Sequence, residues 1–507
     1  MTVIIKGGLV YDGSPNPPYP ADVKIQGDKI VAVGKLSDEA SEIIDASGCI
    51  VTPGFIDVHN HADMSFAIIR ALGKAEDIPE LKGNLNYTYQ GVTTIVTGNC
   101  GTGYADTSDW FGYLDSLSFG TNVYHLAPHG NIRLELFGAG QPTRLTAQQL
   151  QVFKGRVVEE MEKGAIGFSS GLEYAPGWLA DVDELTEIGL VVRKYGGVYA
   201  THIRNESGKK ITESLNEAIE VGRRADIPVQ IAHFKLRAPF QASVTIERVL
   251  KMMEDARRSG LDITADQYPY DAGATHLTWL LEDKNFLLDE KVKPEFKTPK
   301  GKVLIAKSVN KTFKYLPPEK VLISMCPKKT EYEGKTLKQV ADLERRDAAE
   351  VFTDMVCLDN VPGGIFFNID PSAVKQIMLQ EYVFTGSDGT TLMKGITKSH
   401  PRCYAAFTKK LKRFALDEKL IDLNFAVRSM TSLPAEKFKM KGRGKIAEGY
   451  FADIAVIDTK SLKDNATYES PDNLSEGVVH LFVNGVKTID NGKYSGRTGG
   501  RALRRQR

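Results

Sequence analysis

Eight short apolar runs, each followed by a stretch with helical periodicity, constrain this chain more than any other feature. In order they are GFIDVHNH, GVTTIVTGNCG, NVYHLAPHG, GAIGFSSG, GGVYATHIRNE, IPVQIAHFK, LDITADQYPY and EYVFTGSDG. Their length and β-branched content suit parallel strands buried on both faces. Helices are signalled between them. Thr146 and Gln149 make a capping box that opens one, and Gly164 can close it. Ser243 precedes another, in which Ile246, Val249, Leu250 and Met253 share a face and Gly260 is the stop. Eight strand–helix units predict an α/β chain folded as a (β/α)8 TIM-type barrel, whose catalytic groups stand at the C-terminal ends of its strands. The competing arrangement is a doubly wound sheet. It usually carries a glycine-rich phosphate turn after its first strand, and this chain has none.

The ends of the chain have another texture. VIIKGGLVYDG, ADVKIQGDKIVAVG and SEIIDASGCIVTPG read as short strands separated by Gly- and Asp-rich turns, and FADIAVIDTK and VVHLFVNGVKTIDNGKY repeat the pattern near the C-terminus. Residues 1–52 and 436–507 are therefore expected to join in one small β-sandwich domain that brackets a barrel at 53–435. Between the seventh and eighth runs, about 281–358, a Lys- and Glu-rich stretch is too long for a simple connection and reads as an inserted subdomain or lid.

Lys and Arg number 65 against 64 Asp and Glu, which leaves no polyanion footprint and argues against nucleic acid as a partner. No apolar run reaches bilayer length, and the start MTVIIKGGLVYDG lacks the parts of a secretory signal. Five widely spaced cysteines do not make a disulfide framework, so the expected compartment is the reducing cytoplasm. The Arg-rich end, Arg501 to Arg507, reads as a solvated tail.

The polar residues at the strand ends form a set. The first run ends in His59 and His61, which share one face of a strand. The second ends in Cys100, the fifth in His202, the sixth in His233 and the eighth in Asp388. Any one of them could be a satisfied buried residue; six at equivalent positions point to a site. Cys100, His202 and His233 supply a thiolate and two imidazoles, a three-ligand zinc site with a fourth position open. Zinc lowers the pKa of bound water toward neutrality. Asp388 is placed to take that water's proton and return it to a leaving amine. His59 and His61, with Asp388, offer a second metal position, with Cys100 a possible bridge.

These motifs resemble the amidohydrolase superfamily and, within it, the D-aminoacylase (N-acyl-D-amino-acid deacylase) family. The resemblance is carried by GFIDVHNHAD, QGVTTIVTGNCG, GFSSGLEYAPG, THIRNES, IAHFK, GSDG, HPRCYAAF, GRGKIAEGYFADIAVID and VNGVKTIDNGKYSGRTGGRALRR, in family order over nearly the whole chain. It implies hydrolysis of N-acyl-D-amino acids to a carboxylate and a free D-amino acid. It also implies a tight Zn2+ at Cys100, His202 and His233, a weaker or empty second site at the histidine pair, and Asp388 as the acid/base. Many superfamily relatives bridge two metals with a carboxylated lysine on the fourth strand. Here GAIGFSSG has no lysine, which argues against a dihydropyrimidinase or dihydroorotase.

The resemblance extends to the substrate. Tyr174 in GLEYAPG and Lys235 in IAHFK match carboxylate binders, and Arg402 can join them. His129 matches a loop that polarises the acyl carbonyl, while Tyr268 and Tyr270 are wall candidates. The chain departs from the family at Phe234, where a second histidine is usual, in HPRCYAAF and the TKK that follows it, and in the long segment Ala62 to Leu85. These departures bear on the acyl group and the D-residue, not on the metal ligands. The alternatives are another amidase or dipeptidase of the superfamily, or a catalytically silent scaffold.

Overall fold

The structure is a computed structural model that describes residues 2–37, 39–72, 78–138, 142–288, 291–395 and 398–506. All eight apolar runs contribute parallel strands. Phe55–Asp57, Val92–Thr97 and Asn122–His125 form one parallel sheet. Ala127–Pro128, Gly167–Gly171, Val198–His202, Val229–Ile231, Ile263–Gln267 and Val383–Thr385 form a second, with neighbours in that order. Only Leu126 separates the third strand's two parts, and its N–H bonds Thr97 O at 2.9 Å. The first and eighth strands meet just beyond their C-terminal ends. Asp388 N–H bonds His59 O at 2.7 Å and His61 N–H bonds Gly389 O at 2.6 Å.

Helices cover these sheets as their periodicity dictates. Ala147–Lys163 carries the capping box at Thr146 and Gln149 and stops at Gly164, which has φ 116°. Ile246–Arg258 buries Ile246, Val249, Leu250 and Met253. Its cap is Thr245, whose hydroxyl accepts the Arg248 N–H, so the helix starts two residues later than Ser243 predicts.

The two chain ends join in one nine-stranded sheet. Ile50–Pro53 pairs antiparallel with Ile454–Ile457, and that contact stitches the N-terminal strands to the C-terminal ones. The tail is a correction. Arg501–Arg507 is not a solvated tail over its described length, because Ala502 is buried and Leu503 N–H bonds Val123 O at 2.8 Å. Arg501 pairs with Asp28 at 2.8 Å and Arg504 with Asp115 at 3.2 Å.

The inserted stretch has its own core, which includes Leu281, Ile305, Val309, Val340 and Phe352. Its antiparallel sheet pairs Val321–Met325 with Gly363–Phe366 and the latter with Gly273–His276, so the paired unit reaches past 281–358 on both sides. Of the atypical segment Ala62 to Leu85, the helix Ala62–Leu72 is described, whereas 73–77 lie outside the described residues. Among the described residues all five cysteines are free, and no helix is long and apolar enough to cross a membrane.

Beneath the eighth strand lies a buried lysine that enters no ion pair among the described residues. Lys410 Nζ donates to Thr385 Oγ1 at 3.0 Å and Ser429 Oγ at 2.8 Å. Burial pushes its pKa down to about 7. The unfolded chain holds that proton until about pH 10.4, so folding releases it between about pH 7 and 10, and stability from this group rises with pH across that window. We predict that Lys410→Met raises the melting temperature by several degrees at pH 6.5 and by little near pH 10. A gain independent of pH would show that the amine's charge is not the cause.

Candidate metal centre

Every strand-end residue singled out in the sequence lies at one place, except that His61 stands slightly further out and is partly exposed. Cys100 Sγ is 3.3 Å from His59 Nε2 and 3.7 Å from His233 Nε2. His233 Nε2 is 2.8 Å from His202 Nδ1. Asp388 Oδ1 is 3.3 Å from His61 Nε2 and 3.6 Å from His59 Nε2. The tightest groupings are Cys100 with His59 and His233, His59 with His61 and Asp388, and His202 with His233 and Glu206. His59 and His233 thus each belong to two groups, and the donors form one continuous cluster.

The backbone reaches this geometry through unusual dihedrals. Cys100, His233 and Asp388 all have positive φ, at 54°, 36° and 49°. Such values cost L-residues free energy, and they persist where surrounding structure imposes them. The imposing structure is visible at Cys100. Gly98 and Gly101 flank it at φ 76° and 70°, and a Cβ on Gly98 would fall 2.1 Å from Leu126 O. Ser169 of the fourth strand accepts the Gly101 N–H at 2.9 Å and donates to Gly98 O. The strand that lacks a lysine therefore holds the cysteine turn instead.

Each of three imidazoles is gripped on its far side by a carboxylate. Asp266 lies 3.0 Å from His59 Nδ1, Glu173 3.0 Å from His202 Nε2, and Glu206 2.8 Å from His233 Nδ1. Such a partner takes the ring's proton-bearing nitrogen and leaves the other nitrogen's lone pair facing inward. Arg237 joins two of these carboxylates, at 2.8 Å from Glu173 and 3.3 Å from Glu206. Burial alone would push the Cys100 thiol up, but the charge of His59 and hydrogen bonds from His202, His233 and His59 hold it well below its ordinary value. A thiolate and inward-facing imidazole nitrogens form the donor set of zinc. Bond lengths of about 2.3 Å to sulfur and 2.0–2.1 Å to nitrogen put tetrahedral S and N ligands about 3.5 Å apart, close to the Cys100–His233 spacing. The residues present fit the ion.

Asp388 is paired outward with Arg402 at 2.8 Å. Burial raises its pKa, but Arg402 and the neighbouring histidines overcome this and hold the carboxyl well below its usual range. The cleft in front of the cluster is lined by Tyr174, Lys235, Tyr268, Thr275, Trp279 and Arg402 as well as by His202, His233 and Asp388. Lys235 is buried rather than solvated, 2.7 Å from Glu206. Arg402 and Lys235 both lie over the Tyr268 ring, whose buried hydroxyl has no partner among the described residues. Tyr174 packs edge-on against His202 and bonds Thr275.

Two expectations need correction. His129 does not reach the cleft, because its ring is buried against Phe153 and its Nε2 lies 2.8 Å from Glu184. Tyr270 packs on His400 and is not part of the lining. Phe234, the departure between His233 and Lys235, alternates away from the cleft into the core between strands and helices. It does not reshape the substrate side. Glu173, Glu206, Arg237 and Asp266 were not singled out in the sequence, although they stand inside GLEYAPG, THIRNES, IAHFKLR and TADQYPY.

Comparison with known proteins identifies this fold. A model described as an amidohydrolase family matches residues 364–489. A solved N-acyl-D-glutamate deacylase from Bordetella bronchiseptica, complexed with zinc and a phosphonate mimic of the tetrahedral intermediate, superposes with a TM-score of 0.81 at 28% identity over 99% of both chains. A solved D-aminoacylase, described as having a binuclear metal centre with one-metal activation and second-metal attenuation, gives 0.80 at 28% identity over 99% of both. The fold is that of the amidohydrolases. The D-aminoacylase of Alcaligenes xylosoxydans xylosoxydans is 31% identical over 99% of this chain and 97% of its own length. The chain belongs to the D-aminoacylase family.

The carboxylate grip has a measurable consequence. We expect Glu206→Gln to weaken zinc binding by about 10–100-fold, the usual cost of losing a carboxylate behind a ligating histidine, and Cys100→Ala to abolish tight binding. Both can be read by competition against a chromogenic chelator. Unchanged affinity in both variants would remove the cluster from consideration as the metal site.

Proposed function

We propose that this chain is a zinc-dependent hydrolase that cleaves the amide of N-acyl-D-amino acids to a carboxylate and a free D-amino acid. The carrying observation is the thiolate and carboxylate-gripped imidazoles converging beside Asp388, at the floor of a cleft with cations on its wall. Cys100, His202 and His233 hold the tight ion. His59 and His61, with Asp388, form the second and weaker position. When bound, the ion acts as a Lewis acid and lowers the pKa of a coordinated water.

The chain's own residues do the rest. Asp388, kept ionised by Arg402, accepts the proton of the attacking water and delivers it to the amide nitrogen as the C–N bond breaks. The substrate α-carboxylate is received by Arg402, Lys235 and the free Tyr268 hydroxyl. Arg402 offers five donors and pairs with Asp388 through one of them, so it can serve both. Tyr174 and Thr275 form the facing wall. The stereochemical preference follows from family membership.

The architecture is part of the proposal. The two parallel sheets are arcs of one eight-stranded barrel, closed where His59–His61 meets Asp388–Gly389. The residues before 53 and after 435 make the small β-sandwich domain, and the stretch near 281–358 belongs to a subdomain set over the cleft. Few and unpaired cysteines support a cytoplasmic setting.

We expect Asp388→Asn to retain zinc while kcat falls by about 10²–10⁴-fold, the range for loss of a general acid/base, in steady-state assays on N-acetyl-D-amino acids. A panel of N-acetyl-D, N-acetyl-L and cyclic amide substrates tests the class. Preference for L or cyclic substrates would redirect the reading to another amidohydrolase, and inactivity of the zinc-loaded protein on all of them would support a scaffold.

A further inference from the structure

A second cleft adjoins the catalytic one and shares Arg237 and Trp279 with it. Its other walls come from two sources. The turn after Glu206 gives Ser207, Lys209 and Lys210, and the inserted stretch gives Glu282, Lys284 and Tyr315. The shared partition is firmly built. The Trp279 ring lies over the Arg237 guanidinium at 4.6 Å, and its N–H donates to Glu173 at 3.1 Å.

The charges around this cleft do not cancel. Arg237 is taken by Glu173 and Glu206, and Glu282 accepts the Tyr315 hydroxyl at 2.6 Å. Lys209 and Lys210 are adjacent and exposed, and neither enters an ion pair among the described residues. The charged side chains that line the cleft are Lys209, Lys210, Arg237 and Lys284 against Glu173 and Glu282, so positive charges exceed negative ones by two. Direction follows from the catalytic cleft. Arg402, Lys235 and Tyr268 receive the α-carboxylate at one wall, and the scissile amide lies over His202, His233 and Asp388. Tyr174, Thr275 and Trp279 line the same cleft, and Trp279 is shared with the second one.

We infer that this outer cleft is a distal subsite for an anionic group at the far end of the substrate's acyl chain, so that the enzyme favours N-acyl-D-amino acids made from dicarboxylic acids. This rests on the hydrolase reading above. Neither lysine is near the reacting atoms. Their contribution is electrostatic, so it is modest and salt-sensitive.

The test compares N-glutaryl-D-leucine with the neutral amide of the same length, whose acyl chain ends in a carboxamide. For zinc-loaded wild type, kcat/KM should be about three- to tenfold higher for the acid, and the ratio should fall toward one as salt rises from about 20 to 500 mM. Lys209→Glu/Lys210→Glu should lower that ratio at least tenfold; should this variant fold poorly, Lys210→Gln and the wild-type salt series give the same readout. A ratio near one in wild type, or an equal loss on both substrates in the variant, overturns the inference and leaves the hydrolase reading intact. The acyl assignment is overturned if the double substitution instead abolishes a preference for N-acetyl-D-glutamate over N-acetyl-D-leucine. Failure of wild type to hydrolyse any N-acyl-D-amino acid overturns both readings.

Discussion

Glu206 is the carboxylate on which the site is assembled. It is fully enclosed, yet it binds His233 at 2.8 Å, Lys235 at 2.7 Å and Arg237 at 3.3 Å, and stands 3.9 Å from His202. A buried ionised group is tolerable only when its partners satisfy it, and breaking such a pair leaves an uncompensated charge that costs about 3–5 kcal/mol. Here one carboxylate compensates two buried cations and orients an imidazole. Arg237 passes the constraint on to Glu173, and Glu173 passes it to His202. Ligand orientation, substrate-side cations and the wall against the second cleft are thus one network, in which no member can move without exposing another.

This network fixes the side chains of the site although its ligands come from five different strand ends. Strand geometry alone would leave each side chain a choice of rotamers. The carboxylates behind the rings remove that choice for His59, His202 and His233. Asp57 does the same for the backbone. It accepts from His59 N at 3.1 Å and Ser387 N at 3.0 Å, and so ties the first strand's end to the turn that carries Asp388. Burial pushes its carboxyl up to about 7, and the bonds from Ser387 and His59 offset part of that rise. The positive φ at Cys100 is held by the Ser169 bonds to its turn, that at His233 by its N–H donating to Asp266 at 2.8 Å, and that at Asp388 by its N–H donating to His59 O at 2.7 Å.

Most of the fold was legible because it rests on local pattern. All eight apolar runs became parallel strands, and the capping box at Thr146 marked a helix start to the residue. The inward donors were legible too, since His, Cys and Asp at strand ends are chemically conspicuous. Glu173, Glu206 and Arg237 were not, because charged residues after a strand read as solvated loop until the fold encloses them. The tail failed for the opposite reason. A run such as Arg501 to Arg505 has the composition of a free end, and only the position of Val123, nearly 380 residues away, turns it into a docked strand segment. His129 failed because family position located its backbone beside the Cys100 turn without showing that its ring turns toward Glu184.

The charge inventory of the cluster connects metal to proton. Glu173, Glu206, Asp266, Asp388 and the Cys100 thiolate contact the imidazoles, and among the described residues only Lys235, Arg237 and Arg402 pair with these acids, a deficit of two when the histidines are neutral. One divalent cation balances that deficit, and protonated imidazoles balance it equally. Burial opposes the second route at His202 and His61, yet Glu206, Cys100 and Glu173 around the first, and Asp388 and Cys100 around the second, raise both to about 9. The carboxylates that orient the rings for a metal are therefore the groups that make them basic. Zinc must displace those protons, so its affinity has to climb steeply with pH below about 9. The tight grip and the proton competition are two effects of one set of buried carboxylates.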